Sequence, residues 1–218
     1  SYIDRTGVNA VKMRVGVQDE TVNNSVARVR AARDALGPDV DIMVDAHCTN
    51  TVRDALRFAR KVTECDLAWF EEPVSADDLQ GQVELRRTTD IPIAAGESLF
   101  TRFDFRDYIT ARALDILQPD PAICGGITET NRIATLAGAY QLRFAPHLWG
   151  GAIMFAAGFH VCIAQPSAFI LEYSLGHNPM QHELAKAMFP IVDGGMAAPE
   201  APGLGIEINV DFIARAAR

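Results

Sequence analysis

DIMVDA, residues 41–46, is a short apolar run closed by a carboxylate at Asp45. LAWFE at 67–71 closes on Glu71 and IPIAAGE at 91–97 closes on Glu97, each 26 residues after the last. Asp120, His147 and Glu172 continue the series at intervals of 23, 27 and 25, and Lys12 and Arg14 precede it. One strand, one helix and two loops of a (β/α) barrel take about 25 to 30 residues. A residue recurring once per unit at the carboxyl end of its strand falls on one rim, where barrel enzymes keep their chemistry. Three carboxylates in that series describe a hard-cation site, and Mg²⁺ is the cation that suits them.

Between these positions apolar runs alternate with helical patterns. The spacing predicts strands at 8–15, 41–46, 67–71, 91–97, 116–120, 142–147 and 168–173. Val22, Val26, Val29 and Leu36 mark one helical face, and Ala55, Ala59 and Val62 another. Gly37-Pro38 stops the first of these helices. Seven strands and six helices mean a mostly parallel α/β sheet. A barrel is expected over an open doubly wound sheet, because nearly every strand end carries a polar group and no glycine-rich phosphate loop follows the first strand. Residues 1–173 read as a partial barrel. Residues 174–218, richer in Gly, Pro and His and with a strand-like stretch at 205–210, read as a segment packing on the barrel or on another domain.

The 218 residues suffice for one large domain, and a net charge of −8 argues against a nucleic-acid surface. No apolar run has membrane-spanning length and no signal segment opens the chain. Cys48, Cys65, Cys124 and Cys162 lie too far apart for a paired metal motif and read as buried, reduced thiols of a cytoplasmic protein.

His147 and Asp120 come from adjacent units, and a carboxylate beside an imidazole makes a general base or acid near neutral pH. Lys12 and Arg14, two apart in a strand, share a face and suit a substrate carboxylate; a solvated strand edge is the bland alternative. Glu172, if held protonated by burial, would hydrogen-bond a developing enolate oxygen. Strand alternation puts His47 on the side of Asp45, within reach of substrate, and turns Glu72 away from Glu71 toward a supporting role. Trp149 and Phe100 follow strand ends and suit a pocket wall. Gly125-Gly126 reads as a tight helix entry, and His160, His177 and His182 as structural or surface groups.

KMR at 12–14, VDAH at 44–47, WFEEP at 69–73, AAGES at 94–98, LQPD at 117–120, APHLWG at 145–150 and LEYS at 171–174 together resemble the mandelate racemase group of the enolase superfamily. PGLGIEIN at 202–209 is similar to its sugar-acid members. The resemblance implies a modified TIM-type (β/α)7β barrel and an enediolate formed by removing the proton alpha to a carboxylate. Asp45, Glu71 and Glu97 match the Mg²⁺ ligands, His147 with Asp120 the histidine–aspartate dyad, and Glu172 the acid that bonds the substrate carboxylate. It also implies a homo-oligomer, an N-terminal capping domain and a first barrel strand, and neither of those two segments is found in this sequence.

One departure bears on chemistry. The family's usual Lys-x-Lys has Arg14 at its second position here, and a guanidinium stays protonated and makes a poor base. Two-base racemisation is therefore disfavoured. A Mg²⁺-dependent acid-sugar dehydratase is the leading expectation, with a small-molecule carboxylate substrate and no nucleic-acid or membrane partner. Lactone cycloisomerisation follows, then racemisation. A catalytically inactive barrel fragment is the alternative of another class, since an open barrel exposes unpaired strand edges.

Overall fold

The computed structural model describes residues 2–217. After a short helix α1 (Tyr2–Thr6), strands and helices alternate: β1 (Ala10–Arg14), α2 (Val22–Leu36), β2 (Asp41–Asp45), α3 (Val52–Lys61), β3 (Leu67–Glu71), α4 (Leu79–Thr88), β4 (Ile93–Ala95), α5 (Thr101–Thr110), β5 (Ile116–Leu117), α6 (Gly126–Ala139), β6 (Arg143–Phe144) and α7 (Ala152–Ala164). Two short helices follow, α8 (Pro179–His182) and α9 (Val210–Ala216). Side-chain caps set several helix starts. Thr21 accepts from the Asn24 N–H, Thr51 from Asp54 and Asp78 from Gly81. Gly37, at φ +76°, ends α2 where the Gly-Pro breaker predicts.

By compactness the chain divides into two units. The β1–β5 unit comprises Asn9–Gly96 and Phe103–Leu117. Its five strands are parallel neighbours in chain order. Parallel strands covered by helices bury both faces, and Ile42, Val44, Phe70, Ile93 and Leu117 are fully buried accordingly. Helix faces built on Val26, Val29, Ala55, Phe58 and Leu85 cover them, with the Phe58 and Phe70 rings 5.0 Å apart. The β6 unit comprises Val8 and the residues before it, Glu97–Arg102, and Gln118 onward. Its core gathers Leu148, Phe155, Phe159 and Phe189, with Tyr173, Leu204 and Ile206 packed against it.

Six strands stand among the described residues where seven are expected, and the later ones are short. Backbone chemistry explains the shortening. Pro92 delays β4 and Gly96, at φ +137°, ends it. Pro119 and Pro121 bracket Asp120, and Pro146 precedes His147, so these segments lack the donors that a ladder needs. The expected strand at 168–173 is reduced to one parallel bridge, Phe144 to Ala168. At 205–210 a single bridge joins Ala185 and Ile208, because the Asn209 side chain accepts the Phe212 N–H and starts α9 there. Cys65, Cys124 and Cys162 are buried and Cys48 is half-buried. Burial pushes the Cys65, Cys124 and Cys162 thiols up from the ordinary value, that of Cys162 to about 11. No helix among the described residues is long and apolar enough to cross a membrane.

Candidate active site

In the β1–β5 unit, register brings charges level. Arg14 pairs with Asp45 across β1 and β2, and Asp45 with Glu71 across β2 and β3. A one-residue irregularity decides the second pairing. Ile42 lies opposite Leu67, but Met43 lies opposite Trp69, so β3 carries one extra residue, Ala68. Without that bulge Asp45 would stand level with Phe70. Beyond it, strand alternation puts Trp69 and Glu71 on one face, and the Trp69 Nε1–H donates to Glu71 Oε2 at 2.9 Å.

Glu71 and Asp45 are buried, and a buried carboxylate requires a partner. Lys12 Nζ donates to Glu71 Oε1 at 2.6 Å, and Arg14 Nη1 lies 3.4 Å from Asp45 Oδ2. Asp45 Oδ1 accepts the His47 N–H at 2.7 Å. That turn, rather than strand alternation, carries His47 to Asp45. The strand stops at Asp45, and His47 and Cys48 are left-handed at φ +47° and +61°.

Glu72 also departs from its expected supporting place. It is left-handed at φ +39°, which breaks the alternation with Glu71, and it is 2% exposed. Its Oε2 lies 3.6 Å from His47 Nδ1. Backbone bonds from Cys48 N to the Glu72 carbonyl and from Glu72 N to the Ala94 carbonyl, both 2.9 Å, hold the turn. Non-glycine residues in this conformation cost about 1 kcal/mol or more each, and such strain gathers at functional sites. Nearby, Tyr108 donates its hydroxyl to the Ala76 carbonyl; burial, then the charges of Cys48, Asp77, Asp78 and Glu72, push its hydroxyl up to about 12.

Asp45, His47 and Glu72 place one ligand atom each within 4.8 Å of one another. Two carboxylate oxygens and an imidazole nitrogen fit a divalent cation, the oxygens suiting Mg²⁺ and the nitrogen a softer metal. Glu72 is the member that alternation had turned away. The adjacent Glu71-Glu72 pair was its only signal in the sequence.

In the β6 unit, His147 is the centre. Its Nδ1 lies 2.8 Å from Asp120 Oδ2 and its Nε2 lies 3.4 Å from Glu97 Oε2. A carboxylate at Nδ1 fixes ring orientation and tautomer, leaving Nε2 as the position for proton exchange. Asp120 is itself held, since Oδ1 accepts the Ala122 N–H at 2.6 Å. The His147 N–H donates to the Pro119 carbonyl at 3.2 Å, joining the two segments. Next to it, the Leu148 N–H donates to Glu172 Oε2 at 2.7 Å. Leu148 seats against Gly158 of α7, where any Cβ would come within 2.2 Å of its Cδ2. Trp149 and Phe100 are each 62% exposed. His160 Nε2 contacts the Leu204 carbonyl at 3.2 Å and His182 Nε2 the Gly176 carbonyl at 3.3 Å.

The enolase C-terminal domain-like family matches residues 1–212. The D-galactarolactone cycloisomerase of Agrobacterium fabrum is 35% identical over 215 residues, covering 95% of this chain and 56% of that protein. The D-galactonate dehydratase of Xanthomonas campestris pv. campestris is 35% identical over 201 residues, covering 89% and 53%. A solved racemase from Streptomyces coelicolor with bound magnesium superposes with a TM-score of 0.88 at 32% identity, covering 98% and 56%. The chain thus spans about half the length of the curated relatives it matches. Alternating strands and helices, charges at the strand ends and a family match over nearly the whole sequence agree: this chain belongs to the enolase superfamily, as a C-terminal barrel-type domain of the mandelate racemase group.

Proposed function

We propose that the chain carries the catalytic residues of a Mg²⁺-dependent acid-sugar dehydratase acting on a small carboxylate. The observation that carries this reading is the Asp120–His147 pair at 2.8 Å. An imidazole so oriented takes the proton alpha to the substrate carboxylate at Nε2. The electron pair of that C–H bond passes into the carboxylate as an enediolate and returns to expel the β-hydroxyl. The departing oxygen takes a proton from the imidazolium and leaves as water, and the enol tautomerises to a 2-keto-3-deoxy acid. The imidazole is neutral again after one cycle.

Asp45, Glu71 and Glu97 match the family's metal-binding positions in sequence; they would hold the divalent cation, which would supply positive charge to stabilise the carboxylate as its alpha proton leaves. Lys12 and Arg14 add permanent positive charge, and Glu172 bonds a carboxylate oxygen of the substrate. His47 and Trp149 contact the remainder of the sugar chain. Arg14 supports dehydration over racemisation, because a guanidinium beside a carboxylate does not serve as a second base. Cycloisomerisation is the second reading, favoured by the likeness to the Agrobacterium fabrum cycloisomerase.

The test is NMR in D₂O with Mg²⁺ and a panel of aldonic acids, aldaric acids and sugar lactones. It uses this chain, and the chain joined to the amino-terminal region of a relative. A 3-deoxy methylene signal that appears as an alpha-proton signal is lost, and that is absent for His147→Asn, is the expected outcome. Alpha-proton exchange without the methylene would replace dehydration by racemisation, or by cycloisomerisation if a lactone is interconverted. An active His147→Asn protein would remove the assigned base.

A further inference from the structure

Arg14 is the cation that meets Asp45, and its backbone ends β1. Side chains from the following connection converge on that end. Arg28, in α2, donates from Nη1 to the Arg14 carbonyl at 2.9 Å, and the same nitrogen lies against Asp19 Oδ1. Ser25, three residues earlier and so on the same helix face, donates to Asp19 Oδ2 at 2.6 Å and accepts the Gly16 N–H at 3.2 Å. Asn24 Nδ2 donates to the Asp19 carbonyl at 2.8 Å. Asp19 and Ser25 are buried, while the Arg28 side chain is half in solvent.

The opposite side of the β1 end is closed as well. The Val15 N–H donates to the Asp45 carbonyl at 2.8 Å. The Val17 N–H donates to Thr49 Oγ1 at 3.2 Å, and Thr49 Oγ1 donates to the Ala46 carbonyl at 2.6 Å. Gly16 stands at φ +101°, where a Cβ would come within 2.5 Å of Thr49 Oγ1. The Arg14 side chain is 47% exposed, and a half-exposed ion pair holds its own geometry poorly. Its placement must therefore come from the backbone. Arg28 is suited to supply it, because its Nη1 carries two protons and reaches a buried carboxylate and a carbonyl at once.

We infer that Arg28, anchored by Asp19 and Ser25, is a positioning residue for Arg14: it fixes the backbone from which the guanidinium meets Asp45. The inference rests on reading Arg14 as a cation of the site.

The test uses the ¹⁵N-labelled chain and the side-chain Nε–H resonance of Arg14, assigned by its loss in Arg14→Lys. Arg28→Lys keeps a charge near Asp19, but its side chain is one bond shorter, so an ammonium held at Asp19 falls short of the Arg14 carbonyl. The expected result is that the Arg14 resonance shifts or is lost in Arg28→Lys and shifts less in Ser25→Ala, with Tm near that of the parent. Arg33→Ala is the structural control. It removes donors to the carbonyls of Gly37, Val40, Cys65 and Asp66, so Tm falls while the Arg14 resonance stays in place.

An Arg14 resonance unchanged in Arg28→Lys, moved equally by Arg33→Ala, or absent from the parent protein would overturn the inference. Turnover separates it from the functional reading. Arg28→Lys should lower kcat/KM by about 10- to 100-fold, and an unchanged kcat/KM in an active protein would overturn the positioning role. A shifted resonance in a protein that turns over no sugar acid would uphold the positioning and sink the functional reading.

Discussion

The two units treat their carboxylates differently. In the β1–β5 unit each buried strand-end acid meets a permanent cation, Glu71 with Lys12 and Asp45 with Arg14. In the β6 unit Asp120 and Glu97 flank one imidazole, and Glu172 accepts a backbone N–H. Lysine and arginine keep their protons at neutral pH, whereas histidine exchanges its own. One arrangement holds charge fixed and the other is suited to move a proton. Roles therefore divide by the partner given to each carboxylate, since the carboxylates themselves are alike.

The largest effect is expected from removing the proton carrier. His147→Asn should lower turnover by about 10³-fold or more with the fold intact by circular dichroism and divalent-cation affinity unchanged, a loss typical of a missing general base. Comparable loss of cation affinity would place His147 among the fixed-charge groups instead. Next comes the fixed pair. Lys12→Met leaves the buried Glu71 without its cation and should cost about 2–4 kcal/mol in urea unfolding. Adding Glu71→Gln should recover part of that cost, and simple additivity of the two would show that the pair is not coupled. A smaller effect is expected at Asp120. Asp120→Asn keeps a hydrogen-bonding group at Nδ1 but removes its charge, so kcat/KM should fall about 10- to 100-fold. The acid limb of its pH profile should move down, because the imidazolium loses a stabilising anion. An unmoved limb would mean that Asp120 only orients the ring.

Much of this arrangement was legible in the sequence, for identifiable reasons. Asp45 and Glu71 close apolar runs, and a run of β-sheet length fixes where its last residue lies to within a residue or so. Their partners were harder to read. The bulge at Ala68 decides that Glu71 rather than Phe70 stands level with Asp45, and nothing in LAWFE marks it. Glu72 joins His47 because both are left-handed, so an alternation argument carried past the strand end put Glu72 on the wrong side. At 168–173 the composition suits a strand, yet one bridge forms, a tertiary outcome that local pattern does not contain.

The β6 unit also has a fixed-charge cluster. Glu129 accepts the Arg102 N–H at 2.9 Å and both Arg102 and Arg132 side chains at 2.7–2.9 Å. The Arg102 backbone bond first, then the bonds from Arg132 and Arg102, hold its carboxyl at about 2 against the opposing effect of burial. The sign follows from linkage. A carboxyl whose folded pKa is depressed contributes stability that is fully present above its unfolded pKa of about 4.3, and that is lost as pH falls toward the folded value. Glu129→Gln should therefore lower Tm modestly at pH 7, and the gap from the parent should narrow steadily between about pH 5 and pH 2. Arg102 follows Glu97 by five residues, so the same variant tests whether fixing that segment matters to His147. If the cluster is only structural, Glu129→Gln will shift Tm and leave the pH profile of turnover where it was. A moved profile would show that a fixed charge tunes the proton carrier from a distance, and the separation of roles between the two units would then be incomplete.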